Sequence, residues 1–296
     1  MFGRIFRNRL AGTGVLIASI FVVALLICIV AGLFVKSWPL LQSYPLKNLL
    51  FGTDWKPMGK KFGFLPFILS TVYVTVIATV IAVPLCLLAS IYLTEYANKK
   101  ILKFITPVID ILAGIPSVIY GIWGVLVIVP LISDYIAPAF GAATMGYSIL
   151  AGGIVLSIMV FPVIIHILLE VLQTVPKELK DASLSLGTTR WETVKNVVLK
   201  KAKPGIIAAV VLGFSRAFGE TIAVLMVVGN IPQIPHSIFD AGYPIPALIA
   251  NNYGEMMSIP SYDSALMFAA LLLLIIILFF NFISRLILIR VERRLN

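Results

Sequence analysis

Two ionisable side chains in an apolar stretch define the chemistry open to this chain. They stand in Ala209-Val-Val-Leu-Gly213-Phe-Ser-Arg216-Ala-Phe-Gly-Glu220-Thr. A charge at the centre of an apolar span costs about 2.5–3.5 kcal/mol on insertion scales, so two in close succession need a function or a partner. A guanidinium stays cationic at any relevant pH, and its forked donors match phosphate or carboxylate oxygens. One reading makes Arg216 a transient partner for a translocating oxyanion. The other makes Arg216–Glu220 a structural ion pair that locks a bundle. The two are compatible if Glu220 holds Arg216 until an anion displaces it. Ala209, Gly213, Arg216 and Glu220 share one face at helical spacing, and the small residues should leave room beside the arginine.

Other polar residues in apolar runs point less sharply. His166 and Glu170 are four apart, and Glu170 falls near the end of its run, where a solvated position is expected. Asp110 opens a run, where a carboxylate suits the helix dipole. Asn281 suits an interhelical hydrogen bond. The chain has no H-E-x-x-H, no G-x-S-x-G and no Cys/His cluster, and Cys28 and Cys86 both sit in apolar runs. Gly52 to Lys61 resembles a P-loop only faintly, with the wrong spacing and Lys61 in place of Ser/Thr. The sequence therefore predicts no cofactor in this chain. ATP and Mg, if used, belong to a partner ATPase.

The elements that carry these residues must lie in lipid. Of 296 residues, 60% are hydrophobic and 12% charged, with a mean hydropathy of +1.05; soluble domains carry roughly 25% charged residues. Six long apolar runs, at 11–35, 66–93, 107–132, 148–169, 204–228 and 264–289, are each long enough for about 30 Å of hydrocarbon. Their continuous apolarity argues for helices over barrel strands. The expected fold class is all-α integral membrane, with six transmembrane helices in one domain over 1–296. The first run exceeds a signal-peptide core and reads as a retained helix.

Basic residues set the expected topology. Arg4, Arg7 and Arg9 precede the first run, and Lys99, Lys100 and Lys103 follow the second. Lys177, Lys180, Arg190, Lys195, Lys200, Lys201 and Lys203 follow the fourth; Arg290, Arg293 and Arg294 close the chain. The net charge of +10 is read as loops facing anionic lipid rather than nucleic acid. Both termini are expected in the cytoplasm of a multi-pass plasma (inner) membrane protein. Lys36, Lys47, Lys56, Lys60 and Lys61 conflict with this scheme, because it places them outside.

The segment 176–203 reads as a short amphipathic helix, a glycine break and a second helix, with Leu179, Ala182 and Leu186 on one face. Such a helix could lie on lipid or dock into a partner's groove. Asp181-Ala182-Ser183 followed by Gly187 resembles the E-A-A-x-x-x-G loop of binding-protein-dependent ABC importer permeases. Asp181 stands for Glu, Ser183 for the second Ala, and Lys200 for the usual Pro. Gly114-Ile-Pro-Ser-Val-Ile-Tyr-Gly121, Arg216-Ala-Phe-Gly-Glu-Thr-Ile-Ala-Val224, and Thr71–Pro84 leading to Tyr92-Leu-Thr-Glu95-Tyr96 resemble the phosphate-specific transport (Pst) permeases. So do Phe51-Gly-Thr-Asp-Trp55-Lys-Pro57 and Phe62-Gly63-Phe-Leu-Pro66-Phe67.

The resemblance implies a type I ABC importer permease fold (MetI-like), with a core over 66–289 and a cytoplasmic coupling loop over 176–203. It implies ATPase coupling through Asp181, Ala182, Ser183 and Gly187, and phosphate passage past Arg216 and Glu220. The implied partners are a second permease subunit (PstA-like), an ATPase dimer (PstB-like), an extracytoplasmic phosphate-binding protein (PstS-like), phosphate and membrane lipid. Two alternatives stay open: another oxyanion such as sulfate or molybdate, or an ATP-independent channel or scaffold.

Overall fold

The computed structural model describes residues 2–254 and 259–293, with side chains from residue 12 on except at 284, 287, 288 and 291–293. The side chains of Arg4, Arg7, Arg9 and Arg293, and the whole of Arg294, lie outside the described parts.

Helix α1 (Phe2–Ser43) is followed by the short α2 (Leu46–Phe51) and a hairpin of β1 (Trp55–Lys56) with β2 (Lys61–Phe62), antiparallel with Trp55 opposite Phe62. Helix α3 (Leu65–Ile91) continues through a wide turn to Tyr96. Its threonines are satisfied inside the helix: Thr71, Thr75 and Thr79 donate to the carbonyls of Phe67, Thr71 and Thr75 at 2.7–2.8 Å. That keeps these three hydroxyls from standing bare in apolar surroundings, whereas the buried Ser90 hydroxyl near the end of the helix has no hydrogen-bond partner among the described residues.

Helix α4 (Lys99–Gly114) is capped by Asn98, whose side chain accepts from the Ile101 N–H at 2.9 Å. Pro116 stops it, because a residue before proline is pushed out of the helical region. Ile115 accordingly takes ψ 127°. Helix α5 (Ser117–Ala139) then runs with wide turns at Gly124–Ile128 and Ile132–Ile136.

Helix α6 (Ile149–Gln173) is the hub of the main core. Its Val155, Leu156, Val160 and Ile164 are at most 2% exposed, packed among Val74 and Ala78 of α3. The surface helix α7 (Lys177–Ser185) leads through Gly187 to a turn at Arg190–Thr193 and then to α8 (Leu199–Phe218). The short α9 (Ile222–Val227) and α10 (Ile245–Asn252) precede the long α11 (Pro260–Arg293), against which α1 packs.

The membrane-span count differs from the sequence expectation. Among the described residues, five helices are long and apolar enough to cross: 12–43, 65–96, 117–139, 149–173 and 260–283. The run expected at 107–132 is broken at Ile115–Pro116. The run expected at 204–228 is split between α8 and α9 at Gly219–Thr221. Gly219 is a poor helix former, and the Glu220 carboxylate accepts from the Ala223 N–H at 3.5 Å, starting the new helix. Helix α8 also holds Lys200, Lys201, Lys203 and Arg216, too many charges for a span by composition.

The lysine-rich segment is a folded cap, not an open loop. Trp55 meets Phe62, Phe64, Phe67 and Tyr262 edge-on, with ring centroids 4.9–5.9 Å apart. Lys61 pairs with Asp54 at 3.4 Å and Lys36 with Asp263 at 3.7 Å. The cap covers the start of α3, whereas α7 sits at its far end, held there through Glu95. The basic residues at 99–103 and 177–203 thus gather at the end opposite the cap.

Candidate functional site

The interruptions of α4/α5 and α8/α9 meet around Arg216. Arg216 and Glu220 line a cavity of about 270 Å³ with Ile115, Pro116, Ser117, Tyr120 and Met159. The Tyr120 hydroxyl donates to the Leu112 carbonyl at 2.9 Å, bracing the corner that Pro116 creates. The cavity wall is therefore a fixed bend between two helices.

The Arg216–Glu220 ion pair, one of the two readings of these residues, is not formed. Among the described residues, no carboxylate lies within 4 Å of the Arg216 guanidinium and no hydrogen bond satisfies it. Glu220 has left the helical register at the break and turns to the Ala223 N–H instead. The small-residue face is also used differently from the expectation. Gly213 is spent on contact with α6, where a Cβ would lie 2.5 Å from Ile164 Cγ1, and Ala209 is fully buried. Room beside the arginine comes from the breaks. Arg216 is exposed and Glu220 half-buried, so an unpaired cation faces the cavity with a carboxylate beside it.

A larger cavity of about 650 Å³ lies at the other end of α9, beneath residues 143–147 and 229–241. Its lining includes Asn230, Gln233, His236 and Asp240 and no Lys or Arg. The smaller cavity is the stronger candidate for an anion, because fixed positive charge governs oxyanion attraction.

Asp181, Ala182 and Gly187 are exposed on and just after α7, and Ser183 is half-buried. Gly187 takes φ +84°, a left-handed turn that L side chains resist. Ser183, Thr188 and Thr193 form a triangle of hydroxyls 2.9–3.0 Å apart, which fixes the elbow. Leu179 and Leu186, expected on one apolar face, are 43% and 86% exposed, so that face is largely uncovered among the described residues.

Two features here escaped the sequence reading. Lys180 Nζ lies 2.6 Å from Glu95 Oε1, with both side chains largely buried. It ties α7 to the end of α3 across 85 residues of sequence, and no local pattern encodes it. Thr189-Arg-Trp-Glu192 is a capping box, and its T-x-x-E spacing was visible. The Thr189 N–H donates to Glu192 at 2.7 Å and, with the Thr189 hydroxyl, holds this carboxyl below the ordinary glutamate range.

Asn281 accepts from the Ser215 hydroxyl, the interhelical bond expected of it. Asp110 is corrected: α4 begins at Lys99, so Asp110 lies well past the first turn and faces His166 at 3.6 Å.

Apolar helices around a cation-bearing cavity, with an exposed amphipathic helix at one end, fit a membrane permease. Residues 86–296 match the family described as "Binding-protein-dependent transport system inner membrane component", and the chain belongs to that family. It is 37% identical over 285 residues to "Phosphate transport system permease protein PstC" of Xylella fastidiosa (strain 9a5c), covering 91% of this chain and 87% of that one. It is 35% identical to "Probable phosphate transport system permease protein PstC" of Methanocaldococcus jannaschii, covering 90% and 89%. A 41% identity over 210 residues links it to "Probable ABC transporter permease protein YqgH" of Bacillus subtilis (strain 168), covering 70% and 66%. Among solved structures, a chain from "Inward facing conformations of the MetNI methionine ABC transporter" superposes with a TM-score of 0.61 at 20% identity, covering 80% of this chain and 99% of that one. The fold is that of a type I ABC importer permease, and the chain is a transporter subunit of the inner membrane rather than an enzyme.

Proposed function

We propose that this chain is a PstC-like permease subunit of an ATP-driven phosphate importer. It forms half of the pore, with a PstA-like subunit supplying the other half. A PstB-like ATPase dimer holds ATP and Mg and docks on Asp181–Gly187. A PstS-like binding protein delivers phosphate at the end that carries the lysine-rich cap, with both chain termini in the cytoplasm. The observation that carries this reading is the unpaired Arg216 guanidinium lining a cavity between apolar helices, in a chain of this family.

In this reading ATP binding closes the ATPase, and its motion is passed through the Ser183–Thr188–Thr193 elbow and the Lys180–Glu95 bridge into α3 and α8. Phosphate then passes Arg216, which exchanges water for phosphate oxygens, while Glu220 limits how long a dianion can stay. One arginine does not distinguish tetrahedral oxyanions by charge, so selectivity resides largely in the binding protein. The test is ATP-dependent uptake of radiolabelled phosphate by the reconstituted complex, with sulfate and molybdate as competitors. Phosphate uptake that resists both competitors is expected. Uptake suppressed by either competitor reassigns the cargo, and uptake without ATP favours a channel.

A further inference from the structure

The lysine-rich cap holds a cavity of its own, which shares no lining residue with the one at Arg216. It measures about 410 Å³, and its lining includes Tyr44, Asn48, Gly52, Asp54, Lys60 and Lys61. The chain around it is tightly built. A Cβ on Gly52 would lie 2.3 Å from the Asn48 carbonyl oxygen, and one on Gly63 would lie 2.4 Å from the Gly52 oxygen. The rim is therefore a fixed shape that only glycine permits there.

Its charge is unbalanced. Residues 44–63 carry Lys47, Lys56, Lys60 and Lys61 against Asp54 alone. Asp54 is held by Lys61 at 3.4 Å, and Asp263, next to the cap residue Tyr262, is held by Lys36 at 3.7 Å. The hairpin register sets Lys56 directly opposite Lys61, a like-charge cross-strand pair that is unfavourable by itself. Lys60, beside it in the chain, stands at φ 54°, a left-handed conformation that lysine resists. Three ammonium groups are thus crowded at the hairpin with one carboxylate, against local preference. An anion is the ligand that relieves such crowding. Lysine ammonium, tyrosine hydroxyl and asparagine amide all donate to phosphate oxygens.

The cavity lies at headgroup depth. The apolar helix at 12–43 has 32 residues, about 48 Å against about 30 Å of hydrocarbon, so its end emerges from the lipid tails. Trp38 is exposed near that end, and Tyr44, just beyond it, lines the cavity. Both are residue types of the membrane–water belt. No residue in the most apolar stretch of this helix is buried within the chain, so an apolar surface runs up to the cap. On α2, Asn48 and Phe51 are three apart and share a face. Leu46, Phe51 and Met58 are exposed among the lysines, the pattern of a segment lying in a membrane interface.

We propose that the cap cavity binds the phosphate of an anionic phospholipid. Lys60 and Lys61 donate to its oxygens, Tyr44 and Asn48 supply further donors, and Leu46 and Phe51 enter the acyl boundary. The same donors suit free phosphate, but the apolar side chains at the rim and the apolar surface of α1 below it favour a lipid. The inference does not depend on the role of Arg216.

The test is photocrosslinking of the complete transporter in phosphatidylcholine vesicles doped with a limiting amount of photoreactive phosphatidylglycerol, with labelled peptides mapped. Label is expected within residues 44–63. Unlabelled phosphatidylglycerol should compete for it, whereas phosphatidylcholine and inorganic phosphate should not. A lysine at a lipid surface contributes about fivefold, so Lys60→Gln with Lys61→Gln should lower cap labelling about thirtyfold. Labelling at 99–103 and 177–203, at the far end, should stay unchanged and reports intact assembly. Asp54→Asn frees Lys61 and should raise cap labelling about fivefold, a gain that misfolding does not produce. No label on the cap, equal labelling in the double lysine variant, or no gain in Asp54→Asn overturns the proposal. Competition by inorganic phosphate also overturns it, because the site then takes the free ion.

Discussion

Replacing Lys180 with Met should release α7 from the bundle. The Lys180–Glu95 pair spans 2.6 Å, with side chains 19% and 13% exposed. Removing one partner of a buried pair costs roughly 3–5 kcal/mol, because the other charge stays buried without compensation. Since both side chains keep some contact with water, the lower end applies, about 3 kcal/mol. At about 1.4 kcal/mol per factor of ten, local opening of α7 should increase about a hundredfold. Amide hydrogen exchange across residues 177–198 of the purified complex reads this directly. Lys180→Met and Glu95→Gln should each accelerate exchange there while leaving the α6 core protected. The double variant should recover at least half of the lost protection, because no orphaned charge remains. Unchanged exchange in the single variants, or strictly additive effects in the double, would refute the bridge as the anchor of α7.

Other expectations follow from single contacts. Gly213→Ala should destabilise the protein by about 1–3 kcal/mol, read as a lower unfolding temperature, since its new methyl meets Ile164 Cγ1 at 2.5 Å. Gly187→Val should cost about 1–3 kcal/mol in backbone strain alone, since φ is +84° and nothing lies within 4 Å of a Cβ there; weakened co-purification of the ATPase is the readout. Glu192 has a folded-state pKa held below its unfolded value by the Thr189 N–H. Its contribution is therefore fully present above the unfolded value of about 4.3 and is lost as pH falls through the lower folded value. The gap in unfolding temperature between wild type and Glu192→Gln should be constant near neutral pH and close only in acid.

What could be read from the sequence was set by range. Long apolar runs encode spans locally, so the helices at 65–96, 149–173 and 260–283 fall close to their expected limits. Pro116 marks a break that proline chemistry makes readable, although the expected run passed through it. The break at Gly219–Thr221 was harder, because it depends on Glu220 choosing the Ala223 N–H over Arg216, a choice made by packing. Arg216 stood out by charge alone, but the space beside it comes from two helix breaks rather than from Ala209 and Gly213. The Lys180–Glu95 and Asp110–His166 contacts join distant segments, and no spacing rule announces them. The fold of the segment at 36–61 was not readable locally, because Trp55 packs on rings as distant as Tyr262.

The central claim is that an always-cationic side chain lines the route of an oxyanion. Radiolabelled phosphate uptake by cells carrying Arg216→Gln, with complex assembly and expression matched to wild type, tests it most directly. Uptake reduced to background is the expected result; uptake at the wild-type rate would contradict it.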